Sequence, residues 1–174
     1  NSQYGELATE WTDRFTAYDY QVAKLPAANS AEDIEFIAVG RPDLDTVKLS
    51  LPISWEMDPY RDVNWKFQFS ALRMIDPHLI AYEKSKDVAY LAKPLSVVED
   101  WYNFHCVRKR ENAYAWYDMS VGIRASKLAY LYRASCNEGG LLSDEQHSIF
   151  VDVLGEHIQF LAERKNISSS NHGL

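Results

Sequence analysis

Apolar residues recur along this chain mostly at helical spacing. Leu7, Trp11, Phe15 and Tyr18 are separated by four, four and three positions, which predicts an amphipathic helix within residues 1–25, ended by Leu25-Pro26. The pattern is less regular from 26 to 54. Ala27-Ala28-Asn29-Ser30 reads as loop, and Phe36 to Val39 is a short apolar run closed by Gly40 and Pro42. Thr46 to Leu51 alternates with period two before Pro52, so a short strand is expected there. Trp55 to Pro59 reads as a turn, marked by Asp58-Pro59. A long helix follows, with Trp65, Phe67, Phe69, Leu72, Ile75, Leu79, Ile80 and Tyr82 as its apolar side. Pro77 is expected to kink it or to split it in two. The next helix, over about 88–107, carries Leu91, Leu95, Val98, Trp101, Tyr102 and Phe104, with Pro94 near its start, where a missing N–H costs little.

Tyr114 to Arg133 organises the rest. It opens on Trp116 and Tyr117, continues as a helix with Val121, Leu128 and Leu131 on one face, and carries Asp118 and Arg124 within two turns of each other. Gly139-Gly140 marks the turn after it. The last helix is announced by a capping box, Ser143-Asp144-Glu145-Gln146, followed by Ile149, Phe150, Val153, Leu154, Ile158 and Leu161 at spacings of three and four. His147 and His157 on that helix have no acidic or thiol partner spaced to act with them and read as structural or exposed. The pattern therefore predicts at least five helices of twelve to twenty-five residues. Short connectors after residue 60 make neighbouring helices antiparallel. The expected fold class is all-α, an array of antiparallel helical hairpins. Residues 1–54 form an N-terminal helix and irregular lead-in, and 55–174 form the array, within a single domain.

Composition sharpens this. The chain has 174 residues, with 47% hydrophobic residues, only 7 glycines and 6 prolines, and 13% aromatics including 5 Trp and 11 Tyr. Sparse Gly and Pro favour helices. Abundant Trp and Tyr suit flat, partly polar ligands such as sugar rings, but equally suit cores and protein interfaces. The net charge of −7 excludes a bulk basic field for nucleic acid or an anionic membrane. An anionic ligand would need local Arg, Lys or Asn side chains. No stretch is long and apolar enough to span a bilayer, and no signal peptide is visible. Cys106 and Cys136 form no metal spacing; two buried thiols or one bridge both remain open. No H-E-x-x-H, Walker loop or zinc spacing is present, so no cofactor is expected.

Several residues, taken in order, carry a resemblance. Trp55-x-Met57-Asp58-Pro59, then Trp65 and a long helix, Tyr90, Asp100-Trp101, Ala115-Trp116-Tyr117-Asp118, Gly122-Ile123-Arg124 and finally Ser170-Asn171-His172-Gly173 resemble the heparinase II/III and alginate lyase superfamily, over roughly residues 45–174. The closing Asn-His pair is the most telling. The resemblance implies part of an incomplete α/α toroid of helical hairpins, normally followed by a β-sandwich. It implies β-elimination on an anionic polysaccharide containing uronic acid. It also implies a cleft holding the Asn-His pair, with a tyrosine and often another histidine further along the chain. The sequence departs from that pattern by stopping at Leu174, so a fragment of a longer lyase, inactive alone, or a truncated inactive relative is expected. The remainder of the toroid and a β-sandwich are partners if it is a fragment. By analogy alone the location is periplasmic or secreted.

The chemistry assigns candidate roles. Removing the C5 proton of a uronate needs its carboxylate neutralised or strongly hydrogen-bonded. Asn171 has the amide N–H groups for that, and His172 has a pKa class near neutrality suited to a base or a hydrogen-bond partner. An Asn-His pair after three serines is also an ordinary polar loop. Trp55, Asp58, Trp116, Tyr117 and Arg124 are candidate substrate-binding wall residues. Arg124 is either a bidentate clamp on a carboxylate or a structural ion pair with Asp118 or Asp58. His105 and Cys106 are adjacent and cannot readily face one another as a nucleophile pair. The functional expectation is the N-terminal portion of a polysaccharide lyase. The alternative is a non-catalytic helical module that binds glycan or protein through the same aromatic surface.

Overall fold

A computed structural model describes residues 34–110, 112 and 114–168. The helix expected within 1–25 and the Asn171-His172 pair lie outside the described residues. The lead-in contains a sheet that the sequence only half announces. Strand β1 (Ile34–Phe36) pairs antiparallel with β2 (Val47–Leu49), with Phe36 opposite Val47. Its inward residues join the helical core. Phe36 packs on Trp65 at 5.3 Å, and Trp65 stacks on Phe69 at 4.9 Å.

The helices follow from their caps. Helix α1 (Val63–Ser70) starts where the Asp62 carboxylate accepts the Trp65 N–H at 2.7 Å. It stops early because Leu72 takes a left-handed φ of 55°, followed by a 3-10 turn over Arg73–Ile75. Helix α2 (Asp76–Ser85) then begins with Pro77 in its first turn. The expected split is real, but it falls before Pro77. Asp87 caps a 3-10 turn over Val88–Leu91, which leads into α3 (Ala92–Tyr102). The last turns of that helix widen to a π-helix over Asn103–Val107.

Helix α4 (Asp118–Asn137) starts after Trp116 and Tyr117, so the two aromatics form the turn before the helix rather than its opening. Gly139 and Gly140 have φ values of +59° and +77°, which only glycine adopts without strain. Helix α5 (Asp144–Ala162) carries the expected capping box with both reciprocal bonds made. A 3-10 turn over Arg164–Asn166 follows. Three of the five α-helices among the described residues, at 8, 10 and 11 residues, are shorter than the twelve expected, because 3-10 and π turns take up their ends.

Side-chain pairs fix the helix directions. Arg124 meets His157 while Tyr132 meets Phe150, so α4 and α5 are antiparallel. Asp76 meets Lys127 and Tyr82 meets Glu138, so α2 and α4 run parallel. Glu99 meets Gln146 and Tyr102 meets Asp152, so α3 and α5 also run parallel. The hairpins α2/α3 and α4/α5 thus repeat side by side, first helix beside first and second beside second. This is the all-α arrangement of part of a toroid. The Lys127–Asp76 pair, at 2.6 Å, is buried between the first helices. Desolvation outweighs their attraction, holding the Lys127 ammonium down to about 8 and pushing the Asp76 carboxyl up. Both cysteines are free; Cys136 is exposed and Cys106 half-buried.

Candidate active site

The site is built around the turn that precedes α4. Arg124, one and a half turns into that helix, is fully buried. Its Nη2 donates to the Ala115 carbonyl at 2.6 Å, its Nη1 to the Ser70 carbonyl at 2.6 Å, and its Nε to His157 Nε2 at 2.7 Å. The guanidinium lies 4.2 Å from the ring of Trp101 and 5.7 Å from that of Trp116. One cation therefore ties together the end of α1, the turn before α4, and α5. Burial pushes its pKa down to about 9, which still leaves it charged at neutral pH. His157 donates from Nδ1 to the Val153 carbonyl at 2.6 Å. That fixes its proton on Nδ1 and leaves Nε2 to accept from Arg124. Desolvation first, and the Arg124 charge second, depress its pKa to about 3, so it is a neutral structural histidine.

These facts correct two expectations. Arg124 neither clamps a ligand carboxylate nor pairs with Asp118 or Asp58; its hydrogen bonds go to two carbonyls and an imidazole. Trp55 is 1% exposed and does not wall a groove. Its indole N–H donates to Asp100 at 2.9 Å, the same oxygen that receives the Ile53 N–H at 2.8 Å. One carboxylate on α3 thereby pins the 53–55 loop. Asp58 is half-buried and paired with Lys66 at 3.0 Å. Trp116 packs one side into the core against His157 and Phe160, at 5.5 and 5.6 Å. Tyr117 is partly exposed and meets Tyr114 edge to face at 5.9 Å. Trp116 and Tyr117 keep some outer surface, whereas Trp55 and Arg124 are buried.

Two positioning contacts have no counterpart in the motif reading. Asn112 joins the connector to its surroundings: its Nδ2 donates to the Trp55 carbonyl at 3.1 Å, and its Oδ1 accepts from Ser70 Oγ and from the Tyr114 N–H, each at 3.0 Å. Asp118, the first residue of α4, is 7% exposed. Its Oδ1 accepts the Met119 N–H and its Oδ2 the Ser168 N–H, each at 2.7 Å. The chain leaving α5 is thus brought back to the aromatic turn, three residues before Asn171. An amide in a charged connector and an acid at a helix start are the only sequence signals for these contacts.

A groove between α3 with its π-helix and α5 is lined by Tyr102, Cys106, Asp152, Gly155, Glu156 and Gln159. Its two carboxylates would repel an anionic polymer. Burial pushes the Cys106 thiol up to about 11, so it is no nucleophile. Among the described residues no three His, Cys, Asp or Glu side chains group to hold a metal ion, and no helix is long and apolar enough to cross a membrane.

Comparison with known proteins gives the context of this geometry. The family described as Heparinase II/III N-terminus matches residues 17–174. No curated protein sequence matches. Two crystal structures of heparan sulfate lyase HepC from Pedobacter heparinus, one of them a mutant, share the fold. Their TM-scores are 0.66 and 0.67 at 12% identity over 96% of this chain. The chain spans 28% of the length of those lyases. With a family match over nearly its whole length, the chain belongs to the heparinase II/III N-terminus family.

Proposed function

We propose that this chain is the N-terminal portion of a polysaccharide lyase that cleaves a polymer containing uronic acid by β-elimination. The observation that carries the reading is the helical-hairpin fold shared with heparan sulfate lyases, in which the Asp118–Ser168 bond returns the chain after α5 to the start of α4. Family membership and the fold shared with heparan sulfate lyases support the same reading. In the proposed step the amide of Asn171 hydrogen-bonds the uronate carboxylate and stabilises the charge that develops as the C5 proton leaves. His172 takes that proton or supports the group that does. The C5–H electron pair becomes the C4–C5 double bond, the C4–O bond breaks, and the departing oxygen is protonated by an acid, a tyrosine supplied from further along the longer chain. Trp116 and Tyr117 offer outer surface for sugar rings. Such a lyase meets its polymer outside the cytoplasm, in the periplasm or beyond the cell.

The test is ultraviolet absorbance of the unsaturated uronate product, with alginate, heparan sulfate, hyaluronan and chondroitin offered separately. It uses both this chain and the longest natural reading frame that contains it. Absorbance that rises with the long form and disappears in Asn171→Ala supports the lyase and names the polymer. No rise with any polymer from a folded long form leaves a glycan- or protein-binding module as the better account.

A further inference from the structure

One face of the α4/α5 hairpin is apolar and turns to no other α-helix among the described residues. We infer that this face, on the side away from α2 and α3, is the docking surface for a further helical hairpin of the longer chain, its first helix beside α4 and its second beside α5. The inference rests on the proposed longer chain, not on its chemistry. Directions around each helix follow from contacts already made. On α4, Lys127 and Tyr130 turn to α2, where they meet Asp76 and Glu83. At about 100° per residue, Gly122, Ala125 and Ala129 fall on the side away from α2. On α5, Asp152 turns to Tyr102 of α3 and His157 to Arg124 of α4. Val151, Leu154, Ile158 and Leu161, spaced three, four and three, fall on the side away from α3. Val151 and Ile158 are 62% and 68% exposed, and Ile158 is the most exposed large apolar side chain described. A solvated helix face carries charges. None of these seven positions holds one, whereas Asp152 and Glu156 line the groove on the α3 side. The occupant follows from the repeat. Hairpins α2/α3 and α4/α5 already stand side by side, first helix beside first and second beside second. One further step in the same direction sets a first helix against Ala125 and Ala129 and a second against Leu154 and Ile158. The small side chains on α4 leave grooves for larger ones from the incoming helix. The surface thus continues an interface that the fold uses once. This chain spans 28% of the lyases whose fold it shares, which leaves length for such a hairpin in a protein of that size.

Cys136 is a built-in reporter. It is exposed and lies two turns beyond Ala129 on the same side of α4. Cys106, half-buried in the groove between α3 and α5, is the control. The measurement is the rate at which a small aromatic disulfide modifies each thiol, followed peptide by peptide. It is made on this chain and on the longest natural chain that contains it. Cys136 is expected to react at least about tenfold more slowly in the longer chain, with Cys106 within about twofold. Ala129→Glu and Ile158→Glu each put a carboxylate into the covered face. In the longer chain each is expected to restore most of the Cys136 rate. Val107→Glu, at an exposed apolar side chain elsewhere on the surface, leaves it unchanged. In this chain itself all three substitutions leave rate and helicity as they were. The wild-type rates decide first, so a variant that fails to fold does not leave the question open. Equal Cys136 rates in the two forms overturn the inference, as does protection that survives both substitutions. Self-association of the 174-residue chain with Cys136 protected gives the face to a second copy and also overturns it. A longer chain that protects Cys136 but makes no unsaturated product keeps the inference and defeats the lyase reading. Product formation with Cys136 unprotected does the reverse.

Discussion

Arg124 decides how this site is read. A guanidinium near aromatics looks like a ligand clamp from sequence, and the structure puts it in the core. The signal for burial was present: Val121, Arg124, Leu128 and Leu131 follow one another at three, four and three, so the arginine lies on the apolar stripe itself. His157 repeats the case on α5, four residues after Val153. What no spacing reveals is the partner set, because the Ser70 and Ala115 carbonyls are brought to Arg124 by tertiary packing. Arg124→Ala would leave two carbonyls and an imidazole without their donor and open a void beside Trp101. The expected loss is about 3–5 kcal/mol of stability, read as a lower denaturant midpoint. Arg124→Lys keeps the charge, but a single ammonium cannot serve all three acceptors in the fork geometry. It should fall between the wild type and alanine in the same titration.

Elements with a local signal were legible, and those set by distant contacts were not. The α5 start could be read to the residue because the Ser143–Gln146 box is self-contained. Ser143→Ala should cost about 1 kcal/mol, measured by thermal or denaturant unfolding. The Gly139-Gly140 turn was equally legible, since two consecutive positive φ angles demand glycine. By contrast, the helix break at Leu72 requires a left-handed leucine, which no propensity announces. It persists because Leu72, Met74 and Ile75 are all buried there. The pairing of Ile34–Phe36 with Val47–Leu49 was missed for a similar reason: the first run is too short to show a period. At the site, the order of motif residues was legible, whereas the Asn112 and Asp118 bonds come from the way the loops cross.

Across the whole molecule, buried histidines couple the fold to pH. Burial first, aided by nearby cations, lowers His78 and His105 to about 4 and His157 to about 3. In the unfolded chain these groups titrate near 6.5. Between the two ranges the unfolded chain binds more protons, so their contribution is complete above about pH 6.5 and declines as pH falls toward 4. Each histidine removes up to about 1.4 kcal/mol for every pH unit below 6.5. Urea unfolding at pH 7 and pH 5 should therefore show a clearly lower midpoint at pH 5, with His157→Gln reducing the difference.

The tryptophan arrangement has an optical consequence. Trp55, Trp65 and Trp101 are sealed from solvent in three different contexts: the pinned loop, the junction with the sheet, and the guanidinium stack. Their emission is that of indoles in a dry interior, and it can redden only when water reaches them. Because the three lie in different surroundings, a red shift that develops in more than one step during unfolding would show that the pinned loop, the sheet junction and the guanidinium stack do not come apart together.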